Sequence, residues 1–325
     1  MRARGGTRYD EWNWGPRSDS LRCEDRIESL LPEQVRVNVP RVVSTRRPRS
    51  KPKLGQHFLN SGEAAARVVD ALGDVAQSTV LEIGPGRGIL TSMLAKRARR
   101  LIAVELDRVL AAQLRLKFGM ARNVEIIEAD VLAVDIDSLF GPKPGLGRPG
   151  IELKTEPVKV VGNLPYYITS DILLRLFEFS KYFESIVIMV QKEVADRIAA
   201  EPGGRDYGAL SATAQLYARV EKLFTLPPGA FAPPPKVYST VLRLTIDPQQ
   251  ERLGVAGDGF IDFLRLSFGQ KRKTLWNNLK EKYADAGLKQ ALAEARVKPT
   301  ARAETLNLEE SAAVYRALHR AQNES

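Results

Sequence analysis

TVLEIGPGRGILTSMLAKRA (79–98) is the stretch from which the fold can be inferred. Its apolar run over 79–84 predicts a buried strand, and 88–98 predicts the helix that follows it. Gly84, Gly86 and Gly88 lie in the turn between them, where glycines let the backbone approach a ligand closely and leave the helix N-terminus open. Turns of this kind also occur without ligands, so the stretch alone indicates only a strand–turn–helix unit.

The same alternation of strand and helix continues on both sides of this stretch. Further strands are predicted over 100–106, 123–130, 158–163, 185–191, 216–224 and 238–246. Amphipathic helices are predicted over 63–72, 107–118 and 170–179. Apolar strands that alternate with amphipathic helices indicate a mainly parallel sheet covered on both faces.

The two ends of the chain differ from this α/β part. Residues 1–52 are rich in arginine and lack a sustained period, which predicts a basic, disordered extension. The extension is a solvated tail or the product of a misassigned translation start, or it is a source of extra phosphate contacts. The α/β domain is predicted over 53–248, with a breaker-rich surface loop at 141–150 inside an insertion over 141–156. Residues 249–325 are predicted to form a helical domain, with basic helices over 260–283.

Composition limits the partners and the compartment. The 49 Lys and Arg against 39 Asp and Glu give a net charge of +10 and a pI near 9.7. This balance favours a polyanionic partner, nucleic acid first and an anionic membrane surface second. Cys23 is the single cysteine, which excludes an intrachain disulfide and argues against a structural zinc site. We expect a reducing, cytoplasmic location, no membrane span and no secretory signal.

Two carboxylates follow the glycine turn at the ends of successive predicted strands. Glu105 lies 21 residues after Gly84, where a carboxylate can accept both hydroxyls of a ribose. Asp130 ends the next strand, where it can accept an adenine amino group. A dinucleotide and S-adenosylmethionine both fit this geometry. The turn lacks the third glycine of G-x-G-x-x-G, so S-adenosylmethionine, which has no pyrophosphate, is favoured.

VVGNLPYYITS (160–170) adds the chemistry of an amino group at the neighbouring strand end. The Asn163 side-chain oxygen and the Leu164 carbonyl, held by the rigid Pro165, can accept the N–H groups of an exocyclic amine and free its lone pair. Tyr166 offers a face for the base. The alternative is a strand-ending turn with Tyr166 as core filler. For Tyr167, packing is the default interpretation.

A second aromatic residue is expected on the other side of the base. GAFAPPPKVYSTVLRL (229–244) places Phe231 beside an extended, proline-rich segment, from which it can close the other face of the base. The alternative is a hydrophobic plug on a loop.

A family resemblance rests on an ordered set of motifs between about 51 and 320. They are KLGQHFL (53–59), LEIGPGRG (81–88), AVELD (103–107), EADVL (128–132), VVGNLPYYITS (160–170), MVQKEVADRI (189–198), FAPPPKVYST (231–240) and FGQKRKTLWNNL (268–279). The set closely resembles the bacterial 16S rRNA adenine dimethyltransferases. It is also similar to the related macrolide-resistance 23S rRNA methylases and mitochondrial transcription factor B proteins.

The resemblance implies a fold, a reaction and a site. The fold would be a Rossmann-like, class I methyltransferase domain, doubly wound around a mainly parallel seven-stranded sheet, with a smaller C-terminal all-helical domain. The reaction would be dimethylation of N6 in two adjacent adenosines of the 3′-terminal hairpin loop of 16S rRNA, in an immature small ribosomal subunit. We expect a monomer without a metal. Implied contacts to S-adenosylmethionine are His57, Leu59, Gly84, Gly86, Glu105, Leu106, Asp130, Val131 and Asn163. Many members have Asn in place of His57, so a role of this imidazole is open.

RNA binding is predicted at basic side chains outside the pocket. Lys271, Arg272 and Lys273 are predicted at the start of a C-terminal helix, and Arg205 in a loop after QKEVADRI. Phosphate contacts from such groups would hold the RNA in register, whereas the alternative is a solvated charged face. Three other functions remain open at this stage: a 23S rRNA methylase, an RNA-binding assembly protein with dispensable catalysis, and a dinucleotide-dependent oxidoreductase.

Overall fold

This computed structural model describes residues 57–141, 158–255 and 257–323. This part of the chain contains nine strands. The strands are β1 (Phe58–Leu59), β2 (Thr79–Ile83), β3 (Arg100–Glu105), β4 (Val124–Glu128), β5 (Val158–Asn163), β6 (Phe183–Gln191), β7 (Ala218–Leu226), β8 (Phe231–Ala232) and β9 (Ser239–Ile246). The predicted extension 1–52 and almost all of the predicted 141–156 insertion lie outside the described residues.

Seven of these strands form one sheet in the order β4-β3-β2-β5-β6-β9-β7. Neighbours from β4 to β6 run parallel, and β9 runs antiparallel to both β6 and β7. The sheet is therefore mainly parallel and reverses its order at β2 and β5. This confirms the predicted doubly wound α/β fold.

Twelve helices accompany the strands in the described ranges. They are α1 (Gly62–Asp70), α2 (Ile89–Leu94), α3 (Arg108–Phe118), α4 (Ile136–Phe140), α5 (Thr169–Glu178), α6 (Lys192–Ile198), α7 (Ala209–Tyr217), α8 (Gln250–Leu253), α9 (Gly257–Ser267), α10 (Leu275–Leu279), α11 (Asp285–Glu294) and α12 (Leu308–Asn323). In these ranges no helix combines the length and the apolar character that crossing a bilayer requires.

The helical prediction over 260–283 is corrected by the structure. Residues 268–274 form a turn between α9 and α10. Thr274 caps the second helix, because its hydroxyl accepts from the Asn277 N–H at 3.3 Å. An N-cap side chain favours a new helix start over continuation of the previous helix.

Apolar side chains on the two faces of the sheet make two cores, as alternation along strands requires. One face packs on α1 and α2, through Val80, Leu101, Val161, Val187, Ala65, Val68 and Leu94. The other packs on α5 and the later helices, through Leu81, Ile102, Val160, Ile186, Ile172, Leu176, Tyr217, Phe260, Phe263 and Tyr315. The second core crosses position 249 without a break, so the domain boundary at 248/249 stays a prediction.

A two-stranded antiparallel sheet lies at the carboxyl edge of the large sheet, where it contacts Gly86 and Asn163. Phe58 pairs with Ala232, and Leu59 pairs with Phe231. We call this pair of strands, with the adjacent His57 and Pro233, the strap. Local pattern does not indicate it, because each strand has only two residues.

Candidate active site

An open pocket lies at the carboxyl edge of the parallel strands, with about 860 Å³ of empty space including its solvent-open part. Its lining contains eleven of the predicted site residues: His57, Gly84, Gly86, Glu105, Leu106, Asp130, Val131, Asn163, Leu164, Pro165 and Tyr166. Parallel strands bring these segments together because their carboxyl ends share one edge. Glu105 and Asp130 are the carboxylates of this lining, which contains no Lys or Arg.

The glycine turn is in contact with Glu105 and with the strap. Glu105 is buried, and its carboxylate accepts from the Gly86 and Asp107 N–H groups, both at 2.9 Å. Each carboxylate oxygen keeps further acceptor capacity for a ligand hydroxyl. Gly86 has φ of 57°, and a Cβ there would lie 2.7 Å from the Phe58 ring. Glycine is therefore required at position 86 both by conformation and by the strap.

Asp130 and two apolar side chains form another part of the pocket wall. Asp130 lies two residues beyond β4 and accepts from the Leu132 N–H at 3.0 Å through Oδ1. Val131 is buried, whereas Leu106 is half exposed. A carboxylate beside flat apolar surface suits a purine that carries an amino group.

Asn163 at the end of β5 is bonded to the strap. Its side-chain Nδ2 donates to the His57 carbonyl at 2.8 Å. With the amide nitrogen used as a donor, the remaining polar atom of the side chain, Oδ1, is an acceptor. The Leu164 N–H donates to the Met189 carbonyl at 3.1 Å, which joins the turn to β6.

Tyr166 is held by contacts to its hydroxyl and to one face of its ring. Its hydroxyl lies 2.9 Å from the Ser239 hydroxyl. Its ring stacks on the His57 imidazole, with 5.8 Å between centroids and 25° between planes. His57 Nδ1 is in turn 2.8 Å from the Pro233 carbonyl oxygen. The imidazole, whose role the sequence left open, thus lies between Tyr166 and Pro233 and is the part of the strap that contacts Tyr166.

Two predicted residues lie outside the lining of this pocket. Leu59 and Phe231 pair in the strap, and both side chains are buried in the core beneath it. Phe231 is 2% exposed, so in this conformation its ring is not open to a base. Its position matches the hydrophobic-plug alternative, and its stacking role stays a prediction.

The packing interpretation of Tyr167 is wrong. Its side chain is 51% exposed and lines the pocket. Residues 166 and 167 both lie in a turn, and Tyr166 is held between Ser239 and His57. The next side chain leaves the turn in another direction and does not pack in the core.

Glu82 is a residue of this region that the sequence reasoning missed. It lies in β2, is 1% exposed, and neither carboxylate oxygen has a hydrogen-bond partner among the described residues. Burial raises the pKa of Glu82 to about 7. Nearby Thr91 lowers this pKa by a smaller amount, although it forms no hydrogen bond of normal geometry with the carboxylate. Glu82 is among the residues that line a small cavity at the glycine turn, with Gly84, Gly86 and Asn163. A charged residue inside the apolar run 79–84 is the signal that could have found it.

The predicted RNA-binding residues come from two segments that are distant in sequence but in contact in the fold. Lys271 Nζ donates to the Arg205 carbonyl, so the 271–273 turn contacts the loop before α7. Arg205, Lys271 and Arg272 are exposed, and Lys273 is half-buried. Within the described residues none of the four forms an ion pair. Lys271, Arg272 and Lys273 lie in the turn before α10, so their predicted position at the start of a helix is wrong, whereas Arg205 lies in a loop as predicted.

A seven-stranded, doubly wound sheet with an acidic pocket at its carboxyl edge is the architecture of Rossmann-like α/β methyltransferases. The sequence matches the ribosomal RNA adenine dimethylase family over residues 47–320. The chain belongs to this family and is an rRNA adenine dimethyltransferase.

Named relatives and solved structures agree with this assignment. The chain is 57% identical to the ribosomal RNA small subunit methyltransferase A of Koribacter versatilis, over 84% of this chain and 96% of the relative. It is 55% identical to the protein of that name in Acidobacterium capsulatum, over 82% and 91%. The solved 23S rRNA methyltransferase ErmE has a TM-score of 0.58 at 27% identity, over 81% of this chain and 99% of that chain. A dimethyladenosine transferase of Plasmodium falciparum shares the fold with a TM-score of 0.62 at 23% identity, over 82% and 98%.

These findings confirm the resemblance inferred from the motifs. They exclude the dinucleotide-dependent oxidoreductase alternative, because the family transfers methyl groups to rRNA adenines.

Proposed function

We propose that this enzyme uses S-adenosylmethionine to dimethylate N6 of two adjacent adenosines in the 3′-terminal hairpin loop of 16S rRNA. It acts on the immature small subunit, as a monomer in the cytoplasm and without a metal. The observation that carries the proposal is the acidic pocket, free of Lys and Arg, that ends at Asn163 and Leu164.

The donor set fits S-adenosylmethionine better than a dinucleotide. Glu105 would accept the ribose hydroxyls, and Asp130 the adenine amino group, beside Leu106 and Val131. Glu82 has two unpaired buried oxygens behind the glycine turn, which suits the ammonium of an amino-acid end. A pyrophosphate would instead meet like charge in this pocket. Leu59 supports the site through the strap, without lining the pocket.

The residues of the turn after β5 would orient the target amino group. When bound, S-adenosylmethionine supplies an electrophilic methyl group on a sulfonium. Asn163 Oδ1 and the Leu164 carbonyl accept hydrogen bonds from N6 and draw its lone pair out of the ring. Tyr166 holds the ring of the base, and Pro165 sets the angle of the turn. Neither acceptor is a strong base, so the proton that N6 loses with each methyl group passes to water. Positioning supplies most of the rate.

The basic turn supports a role of the C-terminal part in RNA binding. We propose that 53–248 performs the transfer, and that 249–325, with Arg205, Lys271, Arg272 and Lys273, holds RNA phosphates. Phosphate contacts of this kind position the RNA without reading its sequence.

Methylation of a 23S rRNA adenine is the second candidate, favoured by the likeness to ErmE. The much higher identity to two small subunit methyltransferases favours the first.

Mass spectrometry of nucleosides tests the proposal. Purified small subunits that lack this modification are incubated with enzyme and S-adenosylmethionine, and large subunits are treated in parallel. We expect N6,N6-dimethyladenosine in small-subunit RNA, mapped to two adjacent positions near the 3′ end. Its absence there, or its appearance in 23S rRNA alone, overturns the proposal.

A further inference from the structure

Two tyrosines, one in the pocket lining and one next to Ser239, expose their rings without an evident reason in the fold. Tyr167 is 51% exposed and Tyr238 is 54% exposed. In the described part of the chain neither ring stacks on another ring, and neither hydroxyl has a hydrogen-bond partner. Tyrosine side chains usually bury a large apolar area, so these two contribute little to stability for their size.

The backbone holds both tyrosines at the edge that carries the pocket. Tyr167 follows Tyr166 in the turn after β5 and lines the pocket. The Tyr238 carbonyl accepts from the Lys192 N–H at 2.9 Å, at the end of β6. Its neighbour Ser239 contacts the Tyr166 hydroxyl at 2.9 Å. The exposed tyrosines are thus the sequence neighbours of a bonded pair, Tyr166 and Ser239, across the adjacent strands β5, β6 and β9.

Charge at this edge favours a nucleic acid over a protein partner. Lys236 and Val237 are exposed immediately before Tyr238, and Lys236 forms no ion pair within the described residues. A free ammonium two residues from an exposed ring is the combination that binds a base and its phosphate in single-stranded RNA. The edge is linked to the pocket through Tyr166, a lining residue whose hydroxyl contacts Ser239.

The proposed reaction creates a need for such a surface. A base in the pocket has left its stack, and the nucleotide next to it loses a stacking partner. Because the targets are two adjacent adenosines, the neighbour is itself an adenine in either round of methylation. An aromatic surface at the pocket mouth would replace the lost stacking.

We propose that Tyr167 and Tyr238 form a second base-binding subsite, the tyrosine rim, which stacks nucleobases adjacent to the target adenosine. Lys236 contacts the phosphate of the same segment. The proposal rests on the proposed function and assigns to the rim the positioning of RNA, not the transfer of methyl groups.

A fluorescent base measures this contact independently of turnover. An RNA hairpin carries 2-aminopurine next to the target adenosine, and its fluorescence is followed on titration with the full-length enzyme. We expect quenching by the wild type and loss of most of it in Tyr167→Ala with Tyr238→Ala. The Tyr→Phe variants at both positions should quench like the wild type, because they keep the stacking face.

Methylation of small subunits provides the second readout. The double alanine variant should raise KM for the subunit about 5-fold or more, as removal of one stacked base predicts, and this rise should exceed any change in kcat. Leu116→Ala is the matched control, since Leu116 is 88% exposed on α3 and lies outside the pocket lining. Thermal unfolding checks that every variant folds.

The possible results separate failure of the proposed function from failure of the tyrosine rim. Wild-type enzyme that does not methylate small subunits refutes the proposed function, whatever the rim does. Active wild-type enzyme without quenching, or a double variant that quenches and methylates normally, refutes the rim. Normal quenching with a raised KM on subunits indicates a protein contact and also refutes it.

Discussion

The Asn163 side-chain nitrogen donates to the His57 carbonyl oxygen at 2.8 Å, across 106 residues of sequence. This bond joins the turn after β5 to the strap, and it leaves Oδ1 as the acceptor of the amide. One side chain therefore links the strap to the turn after β5 and keeps a free acceptor, which the proposed function assigns to the target amino group.

Asn163→Ala should abolish turnover and leave RNA binding nearly intact. It removes an oriented acceptor from the transfer step, and loss of one such group costs at least about 100-fold in kcat. Single-turnover methylation and RNA binding measure the two effects.

Asn123→Ala is the matched control for this substitution. The Asn123 amide also donates to backbone carbonyls, those of Ala95 and Ala98 at 3.0 and 2.9 Å, outside the lining of the pocket. It should lower stability but retain turnover. Normal methylation by Asn163→Ala would remove Asn163 from the mechanism.

His57→Ala should weaken the hold on Tyr166 while leaving the methyl donor bound. The substitution removes the contact to the Pro233 carbonyl and the ring stacked on Tyr166, but it retains the backbone carbonyl that Asn163 uses. An aromatic pair contributes about 1 kcal/mol, so we expect KM for RNA to rise about 5-fold. Calorimetry should show donor affinity within about 2-fold of wild type, and a large loss there would instead indicate a direct contact between the imidazole and the donor.

Glu82 should make the stability of the ligand-free enzyme depend on pH. Its pKa in the folded protein, about 7, lies above the ordinary value of 4.5 because of burial. Folding therefore favours the protonated carboxyl. Its contribution to stability is complete below about pH 4.5 and is lost as the pH rises through 7, with a cost of the order of 3 kcal/mol.

Glu82→Gln should remove this dependence, because the amide does not ionise. We expect the wild type to lose stability relative to the variant between pH 5 and pH 8, as measured by denaturant unfolding at both values. At pH 7.5 the variant should bind S-adenosylmethionine at least about 10-fold more weakly, since a hydrogen bond to a charged group is lost. Parallel stability curves for the two proteins would show that Glu82 keeps an ordinary pKa.

Charge reversal in the basic turn should weaken RNA binding and flatten its salt dependence. Arg272→Glu with Lys273→Glu keeps Lys271, whose ammonium holds the Arg205 loop. Each lost phosphate contact should reduce the slope of log K against log salt by about 1. Lys117→Glu with Arg122→Glu, at exposed positions on and after α3, is the control with the same change in net charge. An unchanged slope in the turn variant would remove the turn from the RNA interface.

Local sequence was sufficient to predict the strands of the large sheet and the residues at its carboxyl edge. Periodicity located the seven strands to within a few residues, and parallel strands necessarily place their carboxyl ends together. Gly84, Glu105, Asp130 and Asn163 could therefore be assigned to one pocket, because each needs only its position at a strand end.

Contacts between segments distant in sequence could not be derived in this way. The strap reaches Asn163 and Tyr166 through a register that two-residue strands do not encode locally. The same pairing buries Phe231, for which the sequence predicted stacking on the target nucleobase. Burial without a partner distinguishes Glu82 from other strand residues, and exposure at the pocket distinguishes Tyr167 from core aromatics.

Sequence thus determined which residue types stand at the strand ends, since periodicity and strand direction are local properties. The environment of each side chain was determined by tertiary packing, because burial, pKa and hydrogen-bond partners depend on segments that meet only in the folded chain.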